Sequence, residues 1–396
     1  MSRHSHTTNF IRDAVVNELV DHGHAALTME SIARRSFSSI GSVYARYPNR
    51  TAAMRDVLDA CIIPGLPTEM PGPADGPGNT VLGWALRSEP VRRDLTALVE
   101  IALCSRHEPD LAPAADHLRA IVGSRICVES DDPGVATGLR WLTGAVLVGH
   151  TVLSGIGCSI PETDAPLDLL VRTAATGTTA DNRCAVQRES VTAPRPASPV
   201  PQRTDEITTA LTIAATEELA VQGASRARLR TIAGRVGATT GALYRRFGSK
   251  NELVREALVR ELGPQRYEWT ERLVDAVAGE NHSSSPGDVL ADQMFSLLGD
   301  RTKLLSTLEM IHAARNDDGT RRTLVTQMES AALARADFFR SATDDAALVS
   351  PELMGWVIQM APAGARVLVA LGDSPDENAT RSALRHVMNT ALMRVA

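Results

Sequence analysis

Between Ala224 and Asn251 the chain has no Asp or Glu, while Arg226, Arg228, Arg230, Arg235, Arg245, Arg246 and Lys250 all carry positive charge. Guanidinium forks at this density match the paired oxygens of phosphate. Thr239 and Thr240 add hydroxyls for base edges or phosphate, and methyls that can touch thymine. Gly241 and Ala242 are small enough to let a backbone approach bases closely. Tyr244 and Lys250 suit phosphate oxygens, Lys250 from the anion-favouring start of a following helix. Arg228, Arg230 and Thr231 lead into the same surface. This is the chemistry of gripping a polyanion. The net charge of the whole chain is -6, so the positive charge is concentrated in one place.

Those residues need a scaffold that turns them outward. Ile232, Ala233 and Val236 form the apolar face of one short helix, and Gly237 stands where the chain must turn, with a left-handed backbone. Leu243 and Phe247, four residues apart, give a second helix its buried side. Thr239, Thr240, Ala242, Arg245 and Arg246 then face out. The pattern is a helix-turn-helix whose second helix fits a major groove.

The chain repeats itself. A shift of 200 positions brings Ala14, Glu18-Leu19, Gly23, Ile32-Ala33, Gly41, Tyr44 and Arg46 onto Ala214, Glu218-Leu219, Gly223, Ile232-Ala233, Gly241, Tyr244 and Arg246. Further on, Glu100, Ser105 and Arg106 fall near Glu309, Ala314 and Arg315. Trp141, Gly149, Val152, Leu153 and Gly157 match Trp356, Gly364, Val367, Leu368 and Gly372. The growing offset fits insertions in loops of a duplicated unit of about 190 residues. Val191 to Thr204, with four prolines, reads as an extended spacer. A second Pro-rich break, Pro64 to Thr80, is expected to be non-helical. The remainder has apolar residues at three- and four-residue steps, as in Leu297, Leu298, Leu304, Leu305, Leu308 and Met310-Ile311, so the fold class is all-α.

Ile232-Ala233, Gly237, Gly241, Leu243-Tyr244, Phe247 and Ser249-Lys250 together resemble the N-terminal domain of the TetR family. The first copy, Thr28 to Tyr47, resembles it with departures. Ser36-Phe37 replaces an apolar-Gly pair, which would strain a left-handed turn, and Pro48-Asn49-Arg50 replaces Gly-Ser-Lys. Its outward residues are expected to be Ser38, Ser39, Ile40, Gly41 and Ser42, with Thr28, Tyr44, Arg46 and Arg50 on the DNA backbone. The resemblance implies two tandem units, each a helix-turn-helix head and a helical ligand and dimerisation body. The expected limits are 8–62 and 80–178, a linker 179–203, then 204–263 and 264–396. In family members the last two helices pair two chains; here Gly138 to Gly155 with Pro166 to Ala175, and Pro351 to Ala370 with Glu377 to Met393, would pair within one chain. That gives a single-chain pseudodimer, alone or further self-associated, bound to double-stranded operator DNA of imperfect symmetry. A ligand-released repressor is implied, with a small-molecule effector near Met294, Phe295, Met310 and His312.

No Ser-His-Asp order, paired carboxylates, phosphate-binding glycine loop or cofactor fingerprint stands out, so no enzyme, cofactor or catalytic residue is expected. The five cysteines match no zinc spacing, and His107, His150 and His312 are isolated in sequence, so no metal site is expected. With no secretory start and no run of about 18 uncharged apolar residues, the expected place is the cytoplasm, away from membranes. Trp141 and Trp356 are expected to pack helices between the copies. The rival reading is a ligand-binding or scaffold protein of the same fold in which one or both heads have lost DNA.

Overall fold

Polar caps set where the helices begin. Thr28, Ser39, Asn49, Asp132, Asp205, Thr239, Ser285, Asp300, Ser350 and Asp376 each accept an N–H from the first turn that follows. In a computed structural model of the protein, the described residues are 3–66, 88–126, 128, 130–161, 170–171, 173–175, 205–262, 265–278, 285–343 and 349–392. Among them every regular element is helical. The expected linker 179–203 lies outside the described residues, and of the expected Pro166 to Ala175 helix residues 170–171 and 173–175 are described and helical.

The first half opens with α1 (Arg3–His22), α2 (Met29–Arg35), α3 (Ile40–Tyr44) and α4 (Arg50–Val57). Its body has α5 (Glu89–Cys104), α6 (Ala112–Ala120) and α7 (Pro133–Gly155). The second half opens with four helices in the same order, α8 (Glu206–Arg226), α9 (Leu229–Arg235), α10 (Thr240–Phe247) and α11 (Lys250–Leu262). Its body comprises α12 (Gln265–Val277), α13 (Pro286–Gly299), α14 (Arg301–Ala314), α15 (Asp318–Thr343), α16 (Pro351–Ala370) and α17 (Glu377–Ala391).

One sequence expectation needs correction. Pro64 lies inside a last helical turn, Ile63–Gly65, because the π turn Leu58–Ile62 widens the helix just ahead of it. The apolar residues from Leu297 to Ile311 are helical as expected, on two helices, the second started by Asp300, which accepts the Lys303 N–H.

Left-handed backbone recurs in register. Gly23 (φ 74°) answers Gly223 (φ 78°), Gly157 (φ 93°) answers Gly372 (φ 90°), and Phe37 (φ 51°) answers Gly237 (φ 67°). Phe37 is thus in a conformation that its Cβ disfavours. It is also 99% exposed, so no packing offsets the strain.

At the centre α7 crosses α16, and glycine makes the crossing possible. A Cβ on Gly149 would stand 1.9 Å from the Met360 carbonyl oxygen, and one on Gly364 would stand 1.9 Å from that of Ala145. Gly364 and Met360 lie 215 residues after Gly149 and Ala145, so each partner has its counterpart across the crossing. Trp141 Nε1 donates to Asp373 Oδ2 at 2.9 Å, tying the halves nearby, and Trp356 is buried in the same core. α16 is long and apolar enough to cross a membrane, but 72% of that stretch is buried inside this protein, as a core helix would be.

Candidate nucleic-acid interface

In the second head α10 stands on a small core of its own, Leu211, Ala214, Ala215, Ile232, Ala233, Leu243, Phe247 and Leu253. Thr239 accepts the Ala242 N–H at 3.1 Å, which starts α10 immediately after the Gly237 turn. Leu243 and Phe247 point inward; Thr239, Gly241, Tyr244 and Arg245 are exposed, and Thr240 and Ala242 are half-buried. Tyr244 is 50% exposed, so its hydroxyl can reach solvent or phosphate while its ring packs. Arg228, Arg230 and Thr231 are exposed along the same approach.

Two predicted contacts are differently employed. Arg246 donates from Nε to Thr208 Oγ1 at 2.8 Å and pairs with Asp205 at 2.5 Å, which fastens α10 to the start of α8. Asp205 is held down at about 2, first by its hydrogen bonds with Thr208 and then by Arg246. Lys250 is half-buried, and burial lowers its pKa against the attraction of Glu218. Arg235, outside the predicted set, is bound to Glu217 at 2.9 Å and Glu218 at 3.3 Å.

The first head repeats these arrangements. Ser39 accepts the Ser42 N–H at 3.1 Å and shares a 2.8 Å hydrogen bond with the Ser42 hydroxyl. Ser39, Ile40, Gly41, Ser42 and Tyr44 are exposed, and Ser38 is half-buried. Arg46 donates to Thr8, as Arg246 does to Thr208, and Arg35 reaches Glu18 as Arg235 reaches Glu218. Thr28 is spent in part on the capping box with Ser31. Arg50 is turned toward the body: its Nη2 lies 2.8 Å from Glu108 and its Nη1 3.4 Å from the His24 carbonyl. A cation so engaged braces the head and is not presented to phosphate. Sequence reasoning could not see this, because Glu108 is far away along the chain.

Beneath the heads lies a clasp that exchanges partners between the halves. The Glu100 carboxylate accepts the His24 N–H at 3.0 Å and pairs with Arg315 at 2.5 Å. The Glu309 carboxylate accepts the Ala224 N–H at 2.9 Å and pairs with Arg106 at 3.0 Å. Each glutamate thus receives the amide just past the left-handed glycine of its own half, and an arginine from the other half. Burial pushes the Glu100 carboxyl up, but the charges of His312 and Arg315 with hydrogen bonds from His24 and His312 hold it well below the usual range. Glu309 is likewise drawn to about 2 against its burial, by His107, His312, the Ala224 amide and Arg106.

His312 is therefore not isolated. Its Nε2 is 3.0 Å from Glu100 Oε2, and His24 Nδ1 is 3.1 Å from the same oxygen. The three ligand-type atoms lie within 4.8 Å of one another, near enough to share an ion. Arg315 holds the other carboxylate oxygen, and the imidazoles already bond the first, so the arrangement is satisfied as a hydrogen-bonded joint. Of the expected effector residues, Met294 lines a cavity in the second body, whereas Phe295, Met310 and His312 are outside its lining. The cavity's charged residues, Arg366 above all, carried no signal in the sequence beyond an arginine in an apolar helix.

An exposed, acid-free helix on a glycine turn, held by its own core, defines a helix-turn-helix DNA-binding unit of a transcriptional regulator. Residues 211–257, from within α8 to within α11, match the family model described as bacterial regulatory proteins, tetR family. No curated protein matches the chain.

Proposed function

We propose that the chain is a repressor working as a single-chain pseudodimer, two head-and-body units on one operator, released by a small molecule in the second body. The observation that carries the pairing is the exchange across the centre. Glu100–Arg315 is matched by Glu309–Arg106, and Gly149 against Met360 by Gly364 against Ala145. Such reciprocity is the signature of an isologous interface between two equal subunits, here joined by one chain. Two diverged heads need not read equivalent half-sites. The strained Phe37 turn and the engaged Arg50 support a second head that supplies most of the affinity.

The test is a mobility-shift titration of the full chain on its own upstream DNA at several salt concentrations. Arg245→Ala should weaken binding and lower the slope of log affinity against log salt by about 1. One chain should bind one operator. Unchanged affinity and slope would remove Arg245 from the interface. Salt-insensitive binding, or none, would favour the ligand-binding or scaffold reading.

A further inference from the structure

The second body holds a partly open cavity of about 120 Å³, walled by α11, α13, α14, α15, α16 and α17 and lined also by Leu153 of the first half. Most of the wall is apolar, with Met294, Met328 and Met388 among the lining side chains. Methionines at such a surface adapt to the shape of an occupant. The size is comparable to an engineered cavity of roughly 150 Å³ that takes up benzene. A ring-sized apolar body fits.

Arg366 lines the same cavity. Its guanidinium makes no hydrogen bond or ion pair with any described residue, the opposite charge acting on it being Glu261. Burial lowers its pKa to about 10, against the pull of Glu261. Arg315 and Arg106, by contrast, are committed: Arg315 holds Glu100 and the Leu19 and Val20 carbonyls, and Arg106 holds Glu309. Arg366 is half-buried, and a guanidinium with five donors and no protein acceptor against an apolar wall keeps part of its desolvation uncompensated. A bidentate carboxylate removes that cost. The lining charges are Arg366, Arg335 and Lys303 against Glu261, so the balance also favours an anion. Lys303 stands at the edge, 41% exposed and 3.7 Å from Asp300.

We infer that this cavity binds a compact amphipathic carboxylate, its anionic group on Arg366 and its apolar body among Met294, Met328 and Met388. Glu261 and Leu262, at the end of α11, also line the cavity, so the ligand touches the helix that begins at Lys250 under the DNA-binding head. The inference rests on the reading of the second body as the effector domain, and it adds the ligand's chemistry and anchor.

The experiment is calorimetric titration of the full chain with phenylacetate, benzoate and octanoate, and with phenylacetamide as the neutral counterpart of the first. Phenylacetate should bind more tightly than the amide by roughly 30-fold or more, the range for an unpaired buried charge. Arg366→Met should erase that preference while leaving amide binding unchanged, and Arg366→Lys should restore part of it. Equal affinity of acid and amide, a preference that survives Arg366→Met, or failure of all three carboxylates to bind would overturn the inference. If Arg366→Met does not fold, the acid–amide comparison on the unaltered chain still decides it. Operator release is read separately by mobility shift. A carboxylate that binds through Arg366 without freeing DNA would sink ligand release alone, and release by neutral compounds alone would sink the carboxylate.

Discussion

Glu309→Gln should be among the most damaging single changes in the molecule although it keeps shape and volume. Glu309 is only 8% exposed at its side chain and Arg106 11%, so water cannot replace what either loses. The glutamine oxygen can still take the Ala224 N–H, which lies 2.9 Å from the carboxylate. Its amide nitrogen then faces the Arg106 guanidinium, leaving a buried charge with nothing to accept it. Breaking a buried pair by removing one partner costs about 3–5 kcal/mol, a large share of the roughly 5–15 kcal/mol that holds a domain folded. Arg106→Met on the same background removes the stranded charge, so the double variant should recover most of the loss. Denaturant unfolding of the four proteins in the cycle measures this, with the slope checked for a change of mechanism. A loss below about 1 kcal/mol for Glu309→Gln, or strictly additive effects of the two changes, would refute the view that the exchanged pair is a coupled, buried clasp.

Two further outcomes follow from the same geometry. Gly364→Ala and Gly149→Ala should each destabilise the chain by at least the roughly 1–3 kcal/mol of overpacking, and by similar amounts, because each new methyl meets a backbone oxygen 1.9 Å away; thermal unfolding would show it, and a tolerated pair would argue against the tight crossing. Acidification should weaken the fold between pH 6.5 and 4. Burial depresses both His24 and His150 to about 4, so over that window the unfolded chain takes up protons that the folded chain refuses, at up to about 1.4 kcal/mol per pH unit for each ring. Glu309, held near 2, extends the loss from pH 4.5 downward, while His312, whose pKa is raised by Glu100 against its burial, contributes in the opposite sense as pH rises. His24→Gln should flatten the profile of stability against pH, and a profile already flat from 6.5 to 4.5 would count against the buried neutral ring.

The second head was readable because its signals are local. Gly237 at a left-handed turn and the Leu243 and Phe247 spacing act within a dozen residues, and the structure has each of them in that role; the Thr239 cap went unread. The limits of α16 were readable for the same reason, since Pro351 starts it and apolar periodicity carries it to Ala370. What stayed hidden depends on distant neighbours. Periodicity says that a face is buried, but not that Arg50 will meet Glu108 or that His312 will meet His24. Glu100, Arg106, Glu309 and Arg315 could be aligned by sequence, but their exchange across the halves needs three dimensions. Arg246 looked like a phosphate ligand by its type and position, and its turn toward Asp205 and Thr208 has no counterpart in any local pattern.

The two heads differ in how they are founded. Ile11, Val15, Leu19, Ile32 and Val43 of the first belong to the same continuous interior as α7 and α16, whereas α8, α9 and α10 of the second enclose a nucleus of their own. A separate nucleus opens and shifts as a separate cooperative unit. The first head is therefore a footing and the second a jointed arm. On the proposed reading, in which both heads meet one duplex, a mismatch in groove spacing would be taken up by the second head.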